Sequence, residues 1–136
     1  MAGLNLQFTI FNFQNIIKSM EQSNNMALQT IHLDQFNQLN LRIGKIIEVN
    51  EVLGKDKLYQ LTIDLAEEQP RTIVAGIKPW YAKEELLNRL VVVVANLEPR
   101  TIASIESVGM LLAADDNGNC ILLQPDKDVI VGAKVR

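Results

Sequence analysis

The spacing of apolar and polar positions changes period along the chain, and each change marks a predicted element. Phe13, Ile16, Ile17 and Met20 recur at i, i+3, i+4 and i+7, which is one face of a helix. Phe8, Ile10 and Phe11 widen that face. Asp34-Gln35-Phe36-Asn37-Gln38-Leu39 reads as one short helical turn capped by Asp34. From Leu41 the pattern becomes that of a strand, through Ile43, Ile46, Ile47, Val49 and Val52. Gly44 interrupts it, as a bend or bulge does where a barrel strand turns a corner. Gly54–Lys57 is a turn, and Leu58–Leu65 then alternates apolar with polar, a half-buried strand. After the turn Glu67–Pro70 a third strand, Arg71–Ala75, stops at Gly76. Pro79 opens a helix over Ala82–Arg89, with Glu84 and Glu85 suited to its first turn.

Two apolar runs follow, Leu90–Ala95 and Met110–Ala114. Their length and branching suit strands buried on both faces. Between them Asn96-Leu97-Glu98-Pro99 ends the first run, because proline cannot donate to a ladder. Ser107-Val108-Gly109 restarts extended structure, Gly109 tolerating a backbone angle that other residues resist. Asp116-Asn117-Gly118-Asn119 before Cys120–Leu123 is a hairpin signal of the strongest local kind. Val129–Val135 supplies a last short strand. Five closely spaced strands with one short helix between the third and fourth predict an all-β chain, a five-stranded OB-fold barrel. The N-terminal helical extension spans 1–33 and the barrel domain 34–136. The extension reads equally well as a docking helix or as a loosely held segment, and Met20 and Met26 are alternative starting residues.

At 136 residues, nearly half of them apolar, the chain suits one domain with a real core. The net charge of −3 gives no support to nucleic-acid binding through overall charge. A nucleic-acid binder of this balance has to gather its cations on one face. A single cysteine, Cys120, excludes an internal disulfide framework and disfavours a cysteine zinc site. There is no apolar run of about 20 residues and so no spanning helix. With no Lys or Arg before Lys18 the secretory pattern is missing. These readings point to the cytoplasm. His32 stands alone, and Asp115, Asn117 and Asn119 lack the glycine and bidentate glutamate of a calcium loop. Neither a catalytic pair, nor a metal site, nor a glycine-rich phosphate cradle can be assembled, so no enzyme and no cofactor are expected.

A polar loop rooted at both ends in strands is where binding groups are usually displayed. Recognition of RNA by shape needs cations for phosphates, hydroxyls or amides for the 2′-OH, and an apolar platform for exposed bases. Asn96, Arg100, Ser104, Ser107 and Met110 supply all three within the 96–110 loop. The bland alternative is that Asn96 and Ser107 satisfy turn backbone and Met110 is core. Arg42 and Lys45 are three apart, so an ideal strand puts them on opposite faces. Lys55 and Lys57 flank Asp56, which weakens the local field. Trp80, amid Arg71, Lys78 and Lys83, either stacks a base or, the favoured expectation, seals the barrel end beneath the helix.

From about Phe36 to Arg136 the chain resembles the stand-alone tRNA-binding domain. That domain is shared by structure-specific tRNA-binding proteins, the C-terminal appendage of many methionyl-tRNA synthetases, the endothelial-monocyte-activating polypeptide and CsaA-type export chaperones. Five segments carry the resemblance, in order and in register: LRIGKIIEV (41–49), DKLYQLTID (56–64), RTIVAGI (71–77), VVVVANLEPR (91–100) and SVGMLLAA (107–114). Four places depart from the usual pattern. Asn40 replaces Asp, Val52-Leu53 replaces His-Pro and so alters the first hairpin, Ala75 replaces Ser, and Val108 replaces Gln. The resemblance implies an OB barrel, a homodimer and a grip on the outer corner of tRNA that does not read its sequence. By position it implies contacts from Asn96, Pro99, Arg100, Ser107 and Met110, with Arg42, Lys45, Lys57 and Arg71 as phosphate candidates. An aminoacyl-tRNA synthetase is the implied protein partner, and a CsaA-like holder of unfolded or exported polypeptides is the alternative function.

Overall fold

A computed structural model describes residues 12–18 and 29–136 of the chain. It divides into two units, Met1–Phe36 and Asn37–Arg136. In the first, residues 12–18 are helical and present Phe13, Ile16 and Ile17 exposed. Phe8, Ile10, Phe11 and Met20 lie outside the described residues. A second helical turn, Leu33–Phe36, begins a residue earlier than its sequence pattern predicts. Asp34 therefore sits inside the first turn instead of capping it. The Gln35 amide oxygen reaches back to accept the His32 N–H at 2.7 Å, half of a capping box.

The second unit is built around β1 (Leu41–Val52). The remaining strands are β2 (Lys55–Asp64), β3 (Arg71–Ala75), β4 (Leu90–Val94), β5 (Arg100–Ile102), β6 (Ile105–Ser107), β7 (Met110–Leu111), β8 (Ala113–Asp116) and β9 (Asn119–Leu122). The main sheet runs β3-β2-β1-β4-β7, and β5–β6 and β8–β9 are separate two-stranded ribbons. All pairings are antiparallel. Together they make a nearly closed five-stranded barrel. The first half of β1 pairs with β4, from Leu41 opposite Val94 to Lys45 opposite Leu90, and the second half with β2.

The change of partner needs a bend. It comes not at Gly44, where the ladder stays in register, but between Ile46 and Glu48. There the extra residue Ile47 is turned out to 41% exposure, and such a bulge bends and twists its strand. Gly44 has a different task. A Cβ at that position would lie 2.7 Å from Ile63 Cγ2, 3.0 Å from Leu65 Cδ2 and 3.1 Å from Val93 Cγ2. Its bare backbone lets β2 and β4 converge over the core of Ile46, Leu61, Ile63, Leu65, Ile73, Leu86, Val91 and Val93. Both faces of β4 are buried, as its unbroken apolar run implies.

Several boundaries differ from the sequence pattern. The first turn is only Leu53-Gly54, since Val52 already faces Lys55. The helix before β4 is cut to Lys83–Leu86. Glu85 caps it by accepting the Ala82 N–H. It ends where Asn88 adopts a left-handed φ of 67° and Asn88 and Arg89 bond the backbone of Ile46. Met110–Ala114 is two strands, β7 on β4 and β8 on β9, with Leu112 between them. Val129–Val135 is not a regular strand. It lies along the start of β1 through Ile43 N–H to Ala133 O, Gly132 N–H to Ile43 O and Val135 N–H to Leu41 O, with one bridge from Arg42 to Lys134. The positive φ of Gly132 breaks its extension. The Asn117-Gly118 hairpin forms as expected, both residues at positive φ.

Gly44→Ala forces an added methyl onto the β-branched Ile63 and Val93, so it should destabilise the barrel by about 1–3 kcal/mol. Urea unfolding measures this, and a change below about 0.5 kcal/mol would show that the close approach is unimportant.

Candidate nucleic-acid interface

The segment from Asn96 to Met110 is a hairpin fastened at its base, where the sequence suggested only a loop. β5 and β6 pair from Arg100 opposite Ser107 to Ile102 opposite Ile105. Their connection is Ala103-Ser104, both left-handed at φ 51° and 65°. Two successive positive φ values match the twist of a tight hairpin, although Asn-Gly is the usual sequence there. On the outgoing side, Ala95 N–H donates to Asn40 O at 2.8 Å. The Asn96 amide oxygen accepts Asn40 N–H at 2.7 Å and its Nδ2 donates to Gln38 O at 2.6 Å. The Asn96 side chain thus extends the β1–β4 ladder by one step.

On the returning side Ser107 is buried, and its Oγ accepts the Val74 N–H at 3.0 Å. Val108 N–H donates to Thr72 O at 2.9 Å. A side-chain oxygen and one backbone bond thereby satisfy the edge of β3 where no full strand covers it. Gly109, at φ 121°, lets the chain turn against Ile73 and the Val94 carbonyl. Met110 then emerges 47% exposed opposite Val94. Pro99, Arg100 and Ser104 are exposed as well. No ion pair engages Arg100 among the described residues.

Beside this hairpin runs a groove of about 260 Å³, walled by the end of β3 at Val74–Ile77, by Leu97 and Met110, and by the β8–β9 ribbon at Ala113 and Cys120. Its lining is apolar apart from Ser107 and one opposite-charge pair of residues, Glu98 and Arg100. Arg100 and Met110 therefore line the same groove, which sets one cation and one carboxylate, Glu98, beside an apolar shelf. Leu97, Glu98, Ile102 and Cys120 also line the groove but were not among the expected site residues. Leu97 and Glu98 adjoin expected residues in sequence, whereas Cys120 lies on a separate ribbon and carries no such signal.

The four other cations fare differently. Lys57 is exposed near the start of β2, and Lys45 is half-buried, opposite Asp64 in register but with no ion pair to it among the described residues. Arg42 donates its Nε–H to Gly132 O at 2.6 Å, holding the C-terminal segment. Arg71 grips Glu67 with two bonds, Nε–H to Oε1 at 2.7 Å and Nη2 to Oε2 at 2.9 Å, and its Nη1 donates to the Ala95 carbonyl. The Arg71 hydrogen bond holds the Glu67 carboxyl below its ordinary range, with the charges of Arg71 and Arg42 adding to the effect. The same bond raises Arg71. Arg71 is thus neutralised by Glu67 at the foot of the hairpin, where Glu68 and Glu106 line the same depression.

Trp80 does not seal the barrel. It is 39% exposed and donates its indole N–H to Asn119 Oδ1 at 3.2 Å. Tyr81 does the sealing. It packs on the core, its carbonyl accepts the Tyr59 hydroxyl, and its own hydroxyl accepts the Leu122 N–H. Lys78 is held by Glu51 at 3.1 Å, while Lys83 is exposed with no ion pair among the described residues. No three metal-ligating side chains converge among the described residues, and no described helix is long and apolar enough to cross a membrane.

Residues 41–134 match the family model described as "Putative tRNA binding domain". The chain belongs to the tRNA-binding domain family. This tRNA-binding domain is 51% identical over 120 residues to methionine–tRNA ligase of Pyrococcus horikoshii, covering 88% of this chain but 16% of that enzyme. It thus spans about a sixth of that relative's length. Among solved structures it resembles a methionyl-tRNA-synthetase-related protein of P. horikoshii, with TM-score 0.74 and 30% identity over 79% of this chain and 99% of the other. It also resembles the chaperone CsaA of Bacillus anthracis, with TM-score 0.72 and 28% identity over 79% and 100%.

Burial separates the side chains of the rim. Ser107→Ala strands the Val74 N–H and should cost about 1–3 kcal/mol of stability. Met110→Ala at an exposed position should stay within about 0.5 kcal/mol. Equilibrium unfolding of the two variants side by side checks both, and equal losses would show that Met110 is core.

Proposed function

We propose that this domain binds tRNA by shape and backbone, without catalysis, through the β5–β6 hairpin and the groove beside it. One observation carries the reading: a hairpin fixed at both ends in the barrel leaves Arg100, Ser104 and Met110 exposed, with Arg100 and Met110 lining one groove. Arg100 meets a phosphate, the Ser104 hydroxyl a ribose 2′-OH, and Met110 with Leu97 the face of an unstacked base. Pro99 stiffens the approach to Arg100. Lys57 and Lys45 add phosphate contacts as the RNA backbone passes the barrel. Asn96 and Ser107 serve the same site from beneath by fixing its two ends.

The likeness to a methionine–tRNA ligase supports association with an aminoacyl-tRNA synthetase, and the form we propose is a homodimer or a detachable synthetase cofactor in the cytoplasm. The apolar lining of the groove and the likeness to a chaperone favour a second reading, in which an extended unfolded polypeptide lies in the same groove.

Salt separates the two readings. Cation–phosphate contacts release counterions, so tRNA affinity should fall steeply as salt rises, whereas peptide binding to an apolar groove should barely change. In a salt-titrated gel shift, bulk tRNA should bind more tightly than duplex RNA of equal charge. Arg100→Ala should weaken binding and reduce the log–log salt slope by about one. Met110→Ala should cost about 1 kcal/mol, roughly fivefold, with the slope unchanged. A flat salt profile for wild type would remove the tRNA reading.

A further inference from the structure

Arg71 was a candidate phosphate contact by position, but its geometry assigns it other work. It is the first residue of β3, and β3 and β4 are separated in the sheet by β2 and β1. Its bond to the Ala95 carbonyl therefore crosses the seam where the barrel closes, outside the ladder. Three of the five guanidinium N–H groups are committed, two to Glu67 and one to Ala95, and the side chain is only 19% exposed. A guanidinium paired this way with a carboxylate presents little net charge to a phosphate. It does present a rigid planar fork, which a lysine cannot copy.

Ala95 is where the rim leaves the barrel. Its N–H is held by Asn40, its carbonyl by Arg71, and the next side chain, Asn96, by Asn40 and Gln38. Without Arg71 the carbonyl loses its partner and the Ala95–Asn96 peptide can rotate, which re-aims Leu97 to Arg100. We propose that Arg71, oriented by Glu67, is a positioning residue for tRNA binding. It fixes the exit of β4, and so the direction of Arg100, without touching RNA. The inference rests on the tRNA-binding reading, but its structural half does not depend on RNA.

The test uses the full chain with Arg71→Lys, Arg71→Gln and Glu67→Gln. Hydrogen exchange over residues 95–100 should quicken in both Arg71 variants, and to a lesser degree in Glu67→Gln. Affinity for bulk tRNA should fall roughly tenfold in Arg71→Lys, as the competent rim conformation becomes less populated. The salt slope should stay that of wild type in every variant, because no phosphate contact is removed. Arg71→Lys binding like wild type, or Arg71→Gln lowering the slope by about one, would make Arg71 a phosphate contact and overturn the proposal. Unchanged exchange over 95–100 would overturn it too. Glu67 lies in an exposed turn, so its variant keeps the test open if the Arg71 variants do not fold. Should wild type fail to bind tRNA, the functional reading falls, while the exchange result still decides whether Arg71 holds the rim.

Discussion

A strand that must hydrogen-bond to two neighbours pointing in different directions governs this barrel. β1 pairs through its first five residues with β4 and from Lys45 onward with β2, and it can do so only by bending at the Ile47 bulge. The bend pays off only if the sheets on either side come close enough to exclude water, which is what the missing Cβ at Gly44 allows. The buried Ile63, Leu65 and Val93 meet over that glycine. Their burial is the main favourable term available to a domain of this size. The helical corner before β4 is drawn in by the same bend, since Asn88 and Arg89 bond to Ile46.

Closure leaves β3 without a complete partner, and the proposed binding hairpin is what fills the gap. Ser107 and Val108 supply the bonds that a neighbouring strand would have supplied. The rim is thus part of the barrel's own closure, and its outward side chains inherit the rigidity of the core. In an acidic chain this arrangement matters more than net charge. A few cations held in place act at short range, whereas a diffuse field is screened within about 8–10 Å at physiological salt.

The elements that follow from period and punctuation were legible in the sequence. They include the alternation of β2, the unbroken run of β4, the Asn-Gly hairpin and the left-handed angle at Gly109. The β5–β6 hairpin was not, because Ala103 and Ser104 adopt left-handed angles that their residue types disfavour and only the surrounding barrel imposes. The C-terminal segment looked like a strand because Val and Ile recur in it, yet Gly132 and its single partner leave it irregular. At the proposed site, residue types suggested the region, and burial sorts the side chains into exposed and enclosed. Ser107 and Asn96 share the chemistry of Ser104, but their polar atoms are consumed by Val74, Asn40 and Gln38. Arg71 and Arg100 are the same residue type, and only the neighbouring Glu67 separates a brace from a surface cation.

The sole tryptophan stands outside the hydrophobic interior, tethered to the tip of the β8–β9 ribbon. Its emission is therefore an intrinsic optical gauge of how firmly that ribbon is docked. A fluorescence change at Trp80 would announce loosening of the ribbon well before solvent reached Leu61 or Val93. Spectroscopic and calorimetric melting of this domain need not coincide, even when the barrel itself unfolds in one step.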